Sequence, residues 1–242
     1  GIRLGKRGSV HRGPVFAQTP LVGQRIAASD WRLMAIAKDV ELSPSLVGIS
    51  WTCRTLSGPD ARDFLHRLTT LDVRRLAPGA TAGWGFILTP VGKVRAAFHL
   101  VCIGPEEFRF EYDAGPEGIW DRALAEAIDQ FTFAERQTLS EMSGQGCRWV
   151  FSEDAPQVPS GVQVIDHGSR DFGRRWWTLW GEASVLDARP VGEAPLEEWR
   201  CQALRPWFSV ELSQEVMPLE VGLIDGISQG KGCYPGQEVI ER

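Results

Sequence analysis

The chain has 242 residues, is 43% hydrophobic and 24% charged, and carries a net charge of −5. That length buries a sizeable core as one large domain or two small ones, and the acidic balance argues against a nucleic-acid partner. No apolar run approaches the ~20 residues that a membrane span needs.

Residues 1–45 read differently from the rest. Arg3, Lys6, Arg7, Arg12 and Arg25 are basic, the first acid is Asp30, and Gly and Pro interrupt any periodicity. A poorly ordered N-terminal extension is expected, because an organelle address should form an amphipathic helix and this stretch does not. Order is expected from residue 46 onward. Val47, Ile49, Trp51, Cys53 and Thr55 alternate within Leu46 to Leu56, which predicts a half-buried strand. Gly58-Pro59-Asp60 then opens a helix with the apolar face Ala61, Phe64, Leu65, Leu68 and Leu71. His66, beside that face, reads as a surface histidine.

Leu76 to Gly85 is loop-like. Phe86–Leu88 and Val94–Ile103 flank the turn Thr89-Pro90-Val91-Gly92-Lys93 and predict a β-hairpin. A strand follows over Phe108–Tyr112. Ile119, Trp120, Ala123, Leu124, Ala127, Ile128 and Phe131 then recur at helical spacing. The second half is richer in strand, at Cys147–Phe151, Val162–Asp166 and Arg174–Trp180, with His167 and Asp171 read as loop polarity. A helix runs from Ala194 to about Leu204. Strands, hairpins and packed helices in this order predict an α+β class with antiparallel sheets.

The densest polar chemistry lies at the end, in Lys231-Gly232-Cys233-Tyr234-Pro235-Gly236-Gln237-Glu238. Glycines and a proline space an ammonium, a thiol, a phenol, an amide and a carboxylate. An ordinary polar turn is the other reading of this stretch. The five cysteines (Cys53, Cys102, Cys147, Cys201, Cys233) are scattered, with no C-x-x-C or Cys/His cluster. No metal site is written locally, and reduced thiols are expected. A neighbouring cation such as Lys231 favours the Cys233 thiolate; a packed thiol that supports the loop is the alternative.

The run K-G-C-Y-x-G-Q-E resembles the signature of the YgfZ family of folate-binding proteins. These are relatives of the T-protein (aminomethyltransferase) of the glycine cleavage system and are associated with maintenance of iron–sulfur enzymes. Leu56 to Val73 resembles the families' L-x-G-x-D-A-x-x-F-L…T-x-D-V pattern, and Leu88 to Lys93 their L-T-P-x-G-K. The resemblance spans residues 46–242. It implies a T-protein-like folate-binding fold of two interleaved α+β subdomains, with the Gly92 hairpin and the Gly236 loop lining one cavity. It implies tetrahydrofolate, or a one-carbon-substituted folate, as cofactor, with Arg200, Gln202, Lys93, Tyr234, Gln237 and Glu238 in contact with it. A solvated turn residue is the other reading of Lys93. Cys233 and Lys231 are the candidates for chemistry.

Three departures stand out. Arg200-Cys201-Gln202-Ala203-Leu204-Arg205-Pro206 follows the R-x-E-x-G-x-P pattern, but Gln202 stands where a pteridine-reading Glu is usual and Leu204 where Gly is. Ala96 and Ala97 occupy the places of an Asp pair in aminomethyltransferases, and a methyl group transfers no proton. The C-terminal β-barrel of both families is absent after Arg242, so the chain is expected to be a fragment.

The leading expectation is a tetrahydrofolate-binding protein that supports iron–sulfur cluster assembly or repair in other enzymes, without aminomethyltransferase activity. A folate-dependent one-carbon transferase and a non-folate scaffold of the same fold are the alternatives. Expected partners are a reduced folate and iron–sulfur client or assembly proteins, with no nucleic acid and no membrane. The expected state is a monomer in the cytoplasm, with the mitochondrial matrix as the alternative location.

Overall fold

The computed structural model of the chain describes residues 45–47, 51–143, 147–168, 171–181, 189–190 and 193–242. All of them belong to one compact unit, Leu42–Arg242. The expected N-terminal extension lies outside them apart from Ser45. The elements run β1 (Ser45–Val47), β2 (Trp51–Ser57), α1 (Ala61–Leu68), β3 (Thr81–Leu88), β4 (Val94–Gly104), β5 (Glu107–Asp113), α2 (Ile119–Phe131), β6 (Thr138–Leu139), β7 (Arg148–Phe151), β8 (Gln163–Gly168), β9 (Trp176–Trp180), β10 (Arg189–Pro190), α3 (Glu193–Gln202) and α4 (Gln237–Ile240). Among the described residues no helix is long and apolar enough to cross a membrane.

The class is α+β, built on two five-stranded sheets. One has the order β10-β1-β7-β9-β8 and the other β3-β4-β5-β2-β6. Pairing is antiparallel throughout except between β1 and β10. The single strand expected over Leu46 to Leu56 is two strands in different sheets. Leu46 sits opposite Val150, whereas Leu56 sits opposite Phe108. A two-residue period shows which face is apolar but not which neighbour supplies the ladder. The stretch read as a loop through Gly85 is also partly strand, since β3 begins at Thr81. The register shifts between Thr81 and Gly83, where Gly83 takes φ +73°, and a glycine bulge conceals the strand pattern.

The helices follow the periodicity. α2 buries Trp120, Ala123, Leu124, Ala127 and Ile128 and packs against β4. α1 buries Ala61, Phe64, Leu65 and Leu68. Both sheets contribute to one core, in which Trp149, Phe151 and Trp176 meet Trp51, Trp84 and Phe208. Val150, Trp177 and Leu179 form a small second cluster, as alternation along β7 and β9 requires.

A buried polar knot also joins the sheets. Glu111 on β5 is fully buried and accepts from Arg109 Nε at 2.9 Å, Trp180 Nε1 at 2.6 Å and Thr178 Oγ1 at 3.1 Å. Burial pushes its carboxyl up, but hydrogen bonding to His167 and the Arg109 charge bring it below the ordinary carboxylate value. His167, read as loop polarity, is instead buried on β8 with Nε2 at 2.9 Å from Thr178 Oγ1. Its spacing from other polar residues gave no hint of partners that arrive from another sheet.

Candidate functional site

The signature loop is fastened to the segment that follows α1. His66 Nε2 lies 2.7 Å from the Lys231 carbonyl, and Lys231 Nζ donates to the His66 carbonyl. Thr70 Oγ1 donates to the Gly226 carbonyl at 2.6 Å, Ser228 N donates to the Thr70 carbonyl at 2.9 Å, and Asp72 N donates to Ser228 Oγ at 2.9 Å. His66 is therefore a buried anchor, not a surface histidine. The T-x-D stretch of the sequence pattern serves as the strip to which the loop is sewn.

Within the loop, burial alternates with exposure. Lys231 and Tyr234 are buried, while Cys233 between them is exposed. The Lys231 ammonium lies 4.8 Å from the centre of the Tyr234 ring, a cation–π contact that secures the turn. Burial lowers the Lys231 pKa to about 8, with Asp72 opposing the shift.

Gly236 has φ +81°, and a Cβ there would stand 2.5 Å from the Thr89 carbonyl oxygen and 3.2 Å from Gly92 Cα. The hairpin and the loop, expected to line one cavity, pack directly on one another at these glycines. Lys93 on the hairpin is exposed and donates to Glu215 at 2.7 Å. Gln237 opens α4 and donates to Glu241 at 2.8 Å, and Glu238 faces solvent. Gln237, Ile240, Glu241, Ile224, Ile227 and Leu219 line a cleft of about 480 Å³.

The other expected contacts lie on α3. Arg200 is buried and donates to Glu197, to Glu211 and to the Arg205 carbonyl. Gln202 is exposed, with Nε2 donating to Glu198 at 2.9 Å. Leu204 N donates to the Cys201 carbonyl and Arg205 N to the Arg200 carbonyl. This is a Schellman cap with Leu204, φ +54°, at the position that usually takes glycine.

An aromatic box lies between the two sheets. Its void of about 10 Å³ is lined by Trp51, Trp84, His99, Trp149, Asp171, Phe172, Trp176, Arg205, Pro206 and Trp207. The indole N–H groups of Trp51, Trp149 and Trp176 are buried and have no hydrogen-bond partner among the described residues. Asp171, read as loop polarity, is buried in this wall and accepts from Trp84 Nε1 at 3.2 Å, with Arg205 Nε at 3.5 Å. Burial pushes the Asp171 carboxyl up against the opposing charge of Arg205. Sequence reasoning missed this box. The ten tryptophans of the chain, against two tyrosines, were its one visible trace, and only the fold brings the indoles together.

No family model matches the chain. It is 43% identical to a chloroplastic protein of Arabidopsis thaliana named "putative transferase", over 77% of this chain and 50% of the relative. The chain thus spans about half the length of the curated relative it matches. Its structure is similar to the crystal structure of the glycine cleavage system aminomethyltransferase T of Bartonella henselae, with a TM-score of 0.66 and 14% identity. That likeness covers 82% of this chain and 63% of the other. At that identity it is the fold that is shared, and the chain has the fold of aminomethyltransferase T.

Proposed function

We propose that the chain is the folate-binding portion of a protein that supports iron–sulfur enzymes and does not itself transfer an aminomethyl group. The observation that carries this reading is the build of the signature loop. Lys231 and Tyr234 are buried as anchors while Cys233 is held out to solvent, a design suited to a thiol that acts on another protein. Ala96 and Ala97 are buried in β4 and offer no group to move a proton on a folate nitrogen.

The aromatic box supports the folate part. Unpaired buried N–H donors are costly, and those of Trp51, Trp149 and Trp176 suit the ring nitrogens and carbonyl oxygen of a pteridine. The void holds no more than a single water, so the box as it stands does not admit a ring and matches a pteridine in chemistry alone. When bound, a reduced folate supplies a one-carbon carrier. Arg200 secures the turn that brings Arg205, Pro206 and Trp207 to the box, and Tyr234 secures the Cys233 loop. Lys93, Gln237 and Glu238 lie around the hairpin and loop, within reach of a client. The chloroplastic relative favours an organelle interior over the cytoplasm.

The transferase alternative takes support from the name of the Arabidopsis relative, and the two buried methyl groups weigh against it. Titration with tetrahydrofolate, followed by tryptophan fluorescence, should saturate. Turnover with a loaded lipoyl carrier should stay at background. In cells lacking their own such protein, the full-length protein should restore iron–sulfur enzyme activity and Cys233→Ser should not. Equal rescue by Cys233→Ser, or clear methylene-tetrahydrofolate production, would overturn the proposal.

A further inference from the structure

We propose that the cleft beside the Cys233 loop is a docking groove for a basic amphipathic helix of the protein on which the thiol acts. The inference names the partner class for that loop and rests on the reading of Cys233 given above. Gln229, Gly230 and Gln237, which flank the loop in sequence, line the cleft together with Leu219, Ile224 and Ile227.

Apolar residues face outward here because the core side of the same turn is already filled. Leu223 is fully buried, and a Cβ on Gly226 would stand 2.4 Å from Phe86 Cε2. The turn Ile224–Gly226 is thus pressed onto β3, and Ile224, between the two inward residues, is left 63% exposed. Leu219 and Val239 are exposed as well, and a Cβ on Gly92 would meet Val239 at 3.1 Å, beside the exposed Val91 of the hairpin. Four of the nine large apolar side chains exposed among the described residues gather on this face, and such a patch marks an interaction site.

Charge and backbone choose the occupant. Glu220 and Glu238 adjoin Leu219 and Val239 in sequence, Glu241 lines the cleft, and all three are exposed. Glu220 accepts from the Met217 N–H and Glu241 from Gln237, neutral donors that leave the charges in place. Lys231, by contrast, is buried and donates to the His66 carbonyl. An acidic rim selects Lys and Arg on the partner. The apolar residues sit on short helical turns, Pro218–Val221, Ile224–Gly226 and Gln237–Ile240. No strand edge is offered for pairing, so the groove suits apolar side chains spaced along a helix.

The test titrates the chain with a fluorescein-labelled synthetic helix, leucines on one face and lysines on the other, and follows anisotropy. One control scrambles the same residues, and a second replaces lysine by glutamate. The first helix should bind, and each control should bind at least about tenfold more weakly. Ile224→Ser, at an exposed position that leaves the core intact, should weaken the first helix about tenfold. Glu238→Lys with Glu241→Lys should weaken it at low salt and flatten its salt dependence. The bound helix should also slow alkylation of Cys233 by a small neutral reagent. No binding, equal binding by Ile224→Ser, or unslowed alkylation overturns the groove and leaves the reading of the thiol to its own test. Self-association of the chain that Ile224→Ser abolishes, seen by sedimentation, gives this face to a second copy and overturns the groove as well. Equal rescue by Cys233→Ser with intact helix binding overturns the thiol reading alone.

Discussion

His66 and Lys231 hold one another across 165 positions of sequence, each side chain bonded to the other's backbone carbonyl. The geometry requires the His66 proton on Nε2, since a carbonyl only accepts. Nδ1 lies 3.2 Å from the Asp72 carboxylate. His66→Ala should therefore lower stability by about 2 kcal/mol through lost hydrogen bonds and packing. Urea unfolding measures the loss, and hydrogen exchange should show faster exchange at residues 226–233. Unchanged exchange there would mean that other bonds suffice to hold the loop.

Lys231 also makes stability depend on pH in a defined window. Burial lowers its pKa from 10.5 to about 8. Between those values the unfolded chain keeps a proton on this amine that the folded chain has released. The contribution of this position is flat below about pH 8 and rises from there to about 10.5. Lys231→Met removes the titration. The difference in unfolding free energy between parent and variant should follow that slope, and parallel pH profiles would refute it.

Leu204 occupies a left-handed cap while 84% exposed, so its side chain gains little packing for its strained backbone. Leu204→Gly should stabilise the chain by about 1 kcal/mol. A thermal melt that moves downward would show that the leucine packs on something in solution.

Gly236 is the reverse case. Gly236→Ala combines φ +81° with a clash against the Thr89 carbonyl, so its cost should exceed the ~1 kcal/mol of the dihedral alone. Alkylation of Cys233 by a small reagent should change rate in the same variant as the loop lifts from the hairpin. A melt and an alkylation rate equal to the parent's would refute the close packing.

Glu111→Gln leaves Arg109 without its carboxylate in a buried setting. Loss of one partner from such a pair costs about 3–5 kcal/mol, which urea unfolding should register. A loss below about 1 kcal/mol would mean that water reaches the knot.

The local elements were legible where a single face decides the pattern. The stripe Trp120, Ala123, Leu124, Ala127 and Ile128 reads as a packed helix in sequence and is one. The hairpin around Gly92 is equally plain, because turn chemistry is local. What the sequence withheld depends on partners distant in the chain. His66, His167 and Asp171 are polar residues in ordinary surroundings, and each is buried by elements from elsewhere. Trp84 and Asp171 meet across 87 positions, so no spacing rule could pair them. The motif for Cys233 was legible as a motif, while the burial of its neighbours Lys231 and Tyr234 required the tertiary fold.

The stitching of the Gly226–Lys231 segment to His66, Thr70 and Asp72 sets an order of events in synthesis. The receiving strip leaves the ribosome some 160 residues before the strand of chain it must clasp, and closure over such a distance is slow. Until then the Thr70 carbonyl and the Asp72 N–H lack the Ser228 partner that the fold gives them. Cys233 therefore takes its exposed place between Lys231 and Tyr234 only after the late segment has closed on the early one, so that the two ends of this fastening are never made together.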